Sequence, residues 1–332
     1  MPELPDITVY IDALRPRVVD RVLTAARVKS PFLVRSVEPA IDSLEGRRVI
    51  GIDRLGKRIV FKFEDEMFLV LHLMIAGRLL WKPSGSRPTG KIDLATLEFG
   101  DADVSQEPLC GGTLVITEAG TKKRASLFAV AGRAGLLTHD PGGVEPLTCT
   151  LESFMAALKQ ENRTLKRALT SPHLFSGIGN AYSDEILHAA RLSPVKLTRS
   201  LDDRAIATLH EATKQILIHW TSVLRSQFGI VVPAPTGQRG GITTQMKIGR
   251  FPRAGEITAF RPDFAVHGKY GQPCPVCVTK VHRIVRAENE INYCATCQTG
   301  GKLLADRSLS RLLKDDWPDT VEEWEAVRST PT

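Results

Sequence analysis

Four cysteines toward the end of the chain carry the plainest chemistry. Cys274 and Cys277 are spaced C-x2-C, Cys294 and Cys297 repeat that spacing, and residues 278–293 separate the pairs. Two such knuckles bring four thiolates tetrahedrally around one Zn2+; buried thiols or a redox pair are the other uses of the pattern. Four thiolates leave no open position, so such a metal holds a hairpin and does no chemistry. Cys110 and Cys149 stand apart and read as ordinary thiols. A second stretch, LFSGIGNAYSDEIL (Leu174–Leu187), places Gly177 and Gly179 before a helix opened by Asn180. Backbone N–H groups at such a helix start can face a phosphate, and Asn180 can cap the helix and offer its amide to a phosphate oxygen. A tight turn between helices explains the same residues. A third stretch is the start, MPELPD, where Pro2 is followed at once by Glu3. It poses the question whether the proline nitrogen is chain end or reagent.

The elements that must position these residues can be read from periodicity. Ile7, Tyr10, Ile11 and Leu14 fall on one helical face, with Pro5 in the first turn. From Arg21 to about Leu137 the texture is β: RVIGID, RIVFKF, MFLVLHL, GRLLW, LATLEF and GTLVIT are short runs split by turns. The spacing predicts an antiparallel β-sandwich or barrel rather than a parallel βαβ sheet. A Pro/Gly-rich linker, 138–150, ends this domain of residues 1–137. Helices follow in 151–262, the first after a Thr150 cap and the longest from a capping-box-like Ser200 and Asp203 to about Arg225. Within that region 229–256 has neither period and reads as a long loop. Residues 263–300 form the cysteine finger and 301–332 an extension, amphipathic up to Leu313 and acidic beyond it. The fold class expected is therefore α+β and multidomain.

The chain of 332 residues has a net charge of +7 and a pI near 9.1. Lys314–Thr332 holds six carboxylates against two cations, so the positive excess lies in the rest. That balance suits a polyanion, nucleic acid before membrane. No apolar run is long enough for a bilayer and the start is no signal peptide. A cytoplasmic monomer with unpaired cysteines is the expectation.

The start P-E-L-P, an L-G-K before a strand, G-I-G-N-x-Y-x-x-E opening a helix and a C-x2-C-x16-C-x2-C finger come in that order. In this the chain resembles the formamidopyrimidine-DNA glycosylase/endonuclease VIII family of base-excision repair enzymes, from Pro2 to about Gln298. The resemblance implies a β-sandwich, a helix-two-turn-helix domain and a zinc-finger hairpin. It also implies an answer for Pro2. With Met1 removed, its secondary amine would attack C1′ of the damaged nucleotide, and the iminium would permit strand cleavage by β- or β,δ-elimination. An α-amino group titrates near roughly 7.7–8.0, so part of it is neutral at pH 7. Glu3 would protonate the opening sugar or the leaving base. Lys57 would reach the phosphate beside the lesion and lower the amine's pKa by like-charge repulsion. Lys166, Glu185 and His72 match family positions at the DNA, though a surface lysine and a structural histidine fit as well.

Departures from the family pattern are as informative. Asp6 stands where many relatives have Glu. A base extruded from duplex leaves a gap that relatives fill with Met, Arg and Phe; here the Met position is Ile75, Arg124 can supply the cation, and the Phe position is Ala125. Asn289 takes the place of an Arg that holds phosphates, with Arg286 as a substitute. The leading expectation is a glycosylase with abasic-site lyase activity on damaged double- or single-stranded DNA. A lesion- or abasic-site-binding protein without base excision is the alternative, and a zinc-ribbon RNA-binding protein leaves Pro2 and Glu3 unused.

Overall fold

A computed structural model of the chain describes residues 1–100, 111–232, 249–286, 289–304, 318 and 320–323, with backbone alone at 286 and 289. Cys110 and most of the acidic tail lie outside the described residues. The chain divides into two units: Met1–Pro141 with His219–Thr258, and Gly142–Ile218 with Ala259–Thr332.

The first unit begins with α1 (Leu4–Val18), whose start is fixed by the Glu3 N–H donating to Asp6 Oδ2 at 2.9 Å. Asp6 thus satisfies a helix-end donor that would otherwise be orphaned. The expected apolar face is real: Ile7, Tyr10, Ile11 and Leu14 are all buried. Strands β1 (Val22–Val28), β2 (Val49–Leu55), β3 (Arg58–Phe63), β4 (Met67–His72), β5 (Gly77–Lys82), β6 (Asp93–Gly100), β7 (Gly112–Glu118) and β8 (Ser126–Ala131) follow. They form two antiparallel four-stranded sheets, ordered β1-β6-β7-β5 and β2-β3-β4-β8. Leu97 and Phe99 of one sheet share a core with Phe61, Leu69 and Leu127 of the other, which makes the sandwich. The short helix α2 (Gly132–Leu137) closes the last strand.

The second unit holds α3 (Leu151–Lys159), α4 (Leu165–Leu169), α5 (Asn180–Ala189), most of α6 (Asp203–Phe228), the hairpin β9 (Val281–Arg286)–β10 (Asn289–Cys294) and α7 (Ala295–Thr299). Thr150 caps α3 as expected, accepting from the Ser153 N–H at 3.2 Å. Two other caps differ from the sequence reading. Asp202, not Ser200, accepts at the head of α6, from the Ala205 N–H at 2.7 Å, because Ser200 is taken up in a preceding 3-10 turn. Gly179 is the cap residue of α5, and Asn180 is its first helical residue.

The domain expected over 151–262 is divided differently by contacts. Leu224, Phe228, Ile230 and Ile257 lie in the same core as Ile7 and Leu14, and Arg225 Nε meets Asp12 Oδ2 at 2.8 Å. A helical period records that α6 is amphipathic; it does not record that its last turns serve another core. The loop expected over 229–256 is described only at 229–232 and 249–256.

Candidate functional site

The first cluster of reactive groups surrounds the chain start. Burial lowers the pKa of the terminal amine of Met1 below its ordinary value; Glu3 raises it, Arg78 lowers it, Asp6 raises it and Lys57 lowers it. Two sequence-chosen residues, Glu3 and Lys57, are therefore felt at the amine. Lys57 sits in the two-residue turn between β2 and β3, after Gly56 with φ +61°, the Gly-first form that suits the twist of a hairpin. Pro2 and Glu3 are buried. Arg78 was not anticipated. Its guanidinium donates to the carbonyls of Gly77 at 2.7 Å and Ile75 at 3.2 Å, which joins the amine's surroundings to the β4–β5 turn.

That turn is tight. The Gly77 N–H donates to the Leu73 carbonyl at 2.9 Å, and a Cβ on Gly77 would lie 2.2 Å from that oxygen. The turn lifts Ile75 to 52% exposure. The β7–β8 loop lies against it, since a Cβ on Gly120 would be 3.3 Å from that of Ala76. A buried carboxylate, Glu118, fixes the loop by accepting from the Arg124 N–H at 2.9 Å and the Ala125 N–H at 3.1 Å. Arg124 is exposed, whereas Ala125 is 2% exposed and belongs to the core. Of the three gap-filling positions expected from sequence, two point outward.

His72 ends β4 opposite Arg58 and Ser126. Burial, then Arg58, then Lys57 press its pKa down to about 4, so the ring is neutral at pH 7.

The second cluster is built on α5. Lys166 is 5% exposed; its Nζ lies 2.5 Å from Asp184 Oδ1 and 2.5 Å from the Asn180 carbonyl. Asp184 Oδ2 also meets His267 Nδ1 at 2.7 Å and accepts from the Asn292 N–H at 3.2 Å. Glu185 accepts from the backbone N–H groups of Ala265, Val266 and His267 at 2.7–2.9 Å. Burial raises its pKa, against those three donors. The two residues expected at the DNA surface, Lys166 and Glu185, are thus interior groups that fasten α5 to its neighbours. A lysine and a glutamate in helices look the same in sequence whether buried or solvated. Asn180 is half-buried and donates Nδ2 to the Glu290 carbonyl of β10 at 3.0 Å. Asn289 opens β10 opposite Arg286, and the side chains of both lie outside the described residues.

The third cluster is Cys274, Cys277, Cys294 and Cys297, whose sulfurs all lie within 4.8 Å of one another. The Cys297 N–H points to Cys294 Sγ at 3.5 Å, and His188 Nε2 lies 3.3 Å from Cys274 Sγ. Four convergent soft donors with such outer contacts fit a tetrahedral thiolate-bound metal. His188 was missed in sequence, yet it follows Asn180 and Asp184 at i+8 and i+4 on one helix face, and that spacing was available. Cys149 is half-buried, away from the cluster.

Known proteins match this arrangement closely. The formamidopyrimidine-DNA glycosylase N-terminal domain matches residues 1–107, and the H2TH domain of the same enzymes matches 142–226. A formamidopyrimidine-DNA glycosylase of Thermus thermophilus is 32% identical over 304 residues, 91% of this chain and 100% of that one. The chain belongs to the formamidopyrimidine-DNA glycosylase family. An uncharacterized formamidopyrimidine-DNA glycosylase-like protein of Mycobacterium tuberculosis is 34% identical over 172 residues, 52% of this chain and 94% of that one. Among solved structures, the MutM (Fpg) protein of Thermus thermophilus superposes with a TM-score of 0.65 at 28% identity, covering 90% of this chain and 98% of that one. The Lactococcus lactis glycosylase bound to DNA containing an abasic site shares the fold, with a TM-score of 0.69 at 22% identity over 90% and 99% of the two chains. Among the described residues, no helix of this family member is long and apolar enough to cross a membrane.

The state of His72 yields a prediction about acid stability. Above about pH 6.5 its imidazole is neutral in the folded and unfolded chain alike; toward about pH 4 the unfolded chain takes up a proton that the folded one refuses. Stability present above pH 6.5 is therefore lost as the pH falls through this window. In His72→Gln that proton uptake is absent, and thermal melts between pH 6.5 and pH 4 should show a shallower decline than wild type. Parallel declines would mean that His72 is protonated in the fold.

Proposed function

We propose that this DNA glycosylase of the formamidopyrimidine family removes oxidised or ring-opened bases and then cuts the strand through the amine of Pro2. The observation that carries the reading is the chain start itself: Pro2 and Glu3 are buried side by side, the Glu3 N–H is held by Asp6 at 2.9 Å, and the adjoining Met1 amine, half-buried, has its pKa lowered by burial, against Glu3. Removal of Met1 transfers the amine to Pro2. Its neutral nitrogen attacks C1′, the N-glycosidic bond breaks, and the bonding pair leaves with the base, which takes a proton. Glu3 delivers that proton, or one to the sugar ring oxygen as it opens. The attached nitrogen then sheds its N–H proton, its freed pair expels the ring oxygen O4′ from C1′, O4′ takes a proton, and the resulting iminium at C1′ acidifies the 2′ hydrogen. Its loss to a base expels the 3′ phosphate and cuts the strand; β,δ-elimination would expel the 5′ phosphate as well. Lys57 holds a phosphate beside the lesion, with His72 as a neutral donor or acceptor next to it.

Asn180 is proposed to hold a phosphate at the head of α5, with Lys166 and Glu185 acting through the placement of that helix and Asn289 at the hairpin tip. Cys274, Cys277, Cys294 and Cys297 would hold one Zn2+, which supplies folding energy and no chemistry. The protein is proposed to act as a cytoplasmic monomer on damaged DNA.

Borohydride trapping on an abasic-site duplex tests the chemistry. Wild type should form a covalent adduct, and Pro2→Ala, which keeps only a primary amine, should form it much more slowly while still binding. Glu3→Gln should lower base excision about 10²–10⁴-fold, the usual worth of a general acid, and slow cutting at a pre-formed abasic site less. Equal losses in the two assays would remove Glu3 as the excision acid. An absent adduct with intact binding would favour the abasic-site-binding alternative.

Cys294→Ser should lose the bound metal and, with it, DNA affinity, while the sandwich unit still melts cooperatively. Wild type containing no metal, or binding DNA fully after chelation, would refute the structural-zinc reading.

The outward pair Ile75 and Arg124 offers less stacking surface than a set with an aromatic ring. Extruding a base from intact duplex costs a few kcal/mol, less in a bubble or single strand. Single-turnover rates on one lesion should therefore be on the order of tenfold faster in a bubble than in a fully paired 8-oxoguanine·C duplex. Ile75→Met should narrow that ratio. A duplex preference in wild type would count against this assignment of the gap-filling residues.

A further inference from the structure

The β9–β10 hairpin is held on both faces. One face meets α5 through Asn292, whose N–H and Nδ2 reach Asp184 at 3.2 and 3.4 Å. The backbone of the same strand accepts Asn180 Nδ2 at the Glu290 carbonyl, at 3.0 Å. The other face presents Ile284, Ile291 and Tyr293, which alternate with Asn292 and so point away from α5. That apolar face is covered by residues that follow the cysteine finger: Leu303, Leu304 and Val321 pack on it, with Val195 beside them.

The covering segment is hydrogen-bonded as well as packed. Lys302 and Thr320 form an antiparallel bridge, and the Val321 N–H donates to the Gly301 carbonyl at 3.3 Å. The Leu304 N–H donates to the Tyr293 hydroxyl at 2.9 Å. Val321 is 7% exposed, although Glu322 and Glu323 next to it are open to solvent. An isolated two-stranded hairpin is marginal in water and needs a further layer on its apolar side. The four cysteines clamp its base, which leaves its face dependent on whatever covers Ile284 and Tyr293.

We propose that residues 301–304 with 320–323 are a strap on the hairpin, and that Val321 is a positioning residue for DNA binding. The strap presses β10 toward α5 and keeps the Asn180 amide registered on the Glu290 carbonyl. The proposal rests on the DNA-binding reading of Asn180 given above. Because the amine and Glu3 belong to the first unit, loosening the strap weakens binding and leaves the chemical step unchanged.

Full-length Val321→Asp, Val321→Ala and Val321→Ile test this. Amide hydrogen exchange over 281–294 is followed without DNA, and KM and kcat are measured on an abasic-site duplex. Val321→Asp should exchange about tenfold faster in the hairpin, because local opening costs less once its cover is charged. Its KM should rise about three- to tenfold with kcat within about twofold, and Val321→Ile should restore both. In an Asn180→Ala background the same substitution should add no further rise in KM. Should Val321→Asp fail to fold, Val321→Ala shows the same changes in smaller measure.

Unchanged exchange in both variants overturns the strap. Faster exchange with unchanged KM, or a KM rise that persists undiminished in Asn180→Ala, overturns the positioning role. Wild type that neither binds nor cuts abasic-site DNA is seen before any variant is made; it refutes the underlying reading and the positioning role with it, while the exchange data still decide whether the strap exists.

Discussion

The second unit is organised around two adjacent carboxylates that water cannot reach. Asp184 and Glu185 are both buried on α5, and between them they gather a lysine, a histidine, an asparagine and a run of three backbone N–H groups. Taking an ionised group out of water is costly unless its lone pairs are met, and removing one partner leaves the rest uncompensated. The demand for partners is what brings α4, the segment 265–267 and β10 to one helix. Further along it, His188 touches the cysteine cluster, so the head of α5 and the finger share a single rigid post.

The first unit solves a different problem. In the proposed chemistry a nucleophilic amine must be kept neutral at physiological pH beside an acid that carries a proton to the substrate. Burial and the cations Arg78 and Lys57 work in one direction, Glu3 and Asp6 in the other. Asp6 has a second task, since its carboxylate fixes the head of α1 through the Glu3 N–H. Short as it is, the Asp6 side chain reaches that N–H directly, at 2.9 Å.

Much of this was legible in the residues. The alternation of short apolar runs foretold the sandwich, and the paired knuckles foretold the sulfur cluster. Other features were hidden for physical reasons. Lys166 and Glu185 are charged, and charge in a helix suggests solvent; only the packed structure reveals that each is answered by a partner from a distant segment. Ala125 looked like a truncated stacking residue, but its N–H is bound by Glu118 and its methyl group fills the core. The last turns of α6 continue one period into another hydrophobic core. Leu303 opens a stretch read as amphipathic, but that pattern does not name the face it covers, and Val321 stands alone among carboxylates with no period to read.

Glu118 separates two properties of the loop that follows it. Its carboxylate grips the far end, at Arg124 and Ala125, and its backbone carbonyl accepts from the Lys123 ammonium just before them. The backbone of Arg124 is therefore set by the end of a strand, and only the arginine's side chain is left to the surface. In the proposed function, the cation offered beside an extruded base is thereby held from inside the sandwich, by an acid that never meets solvent.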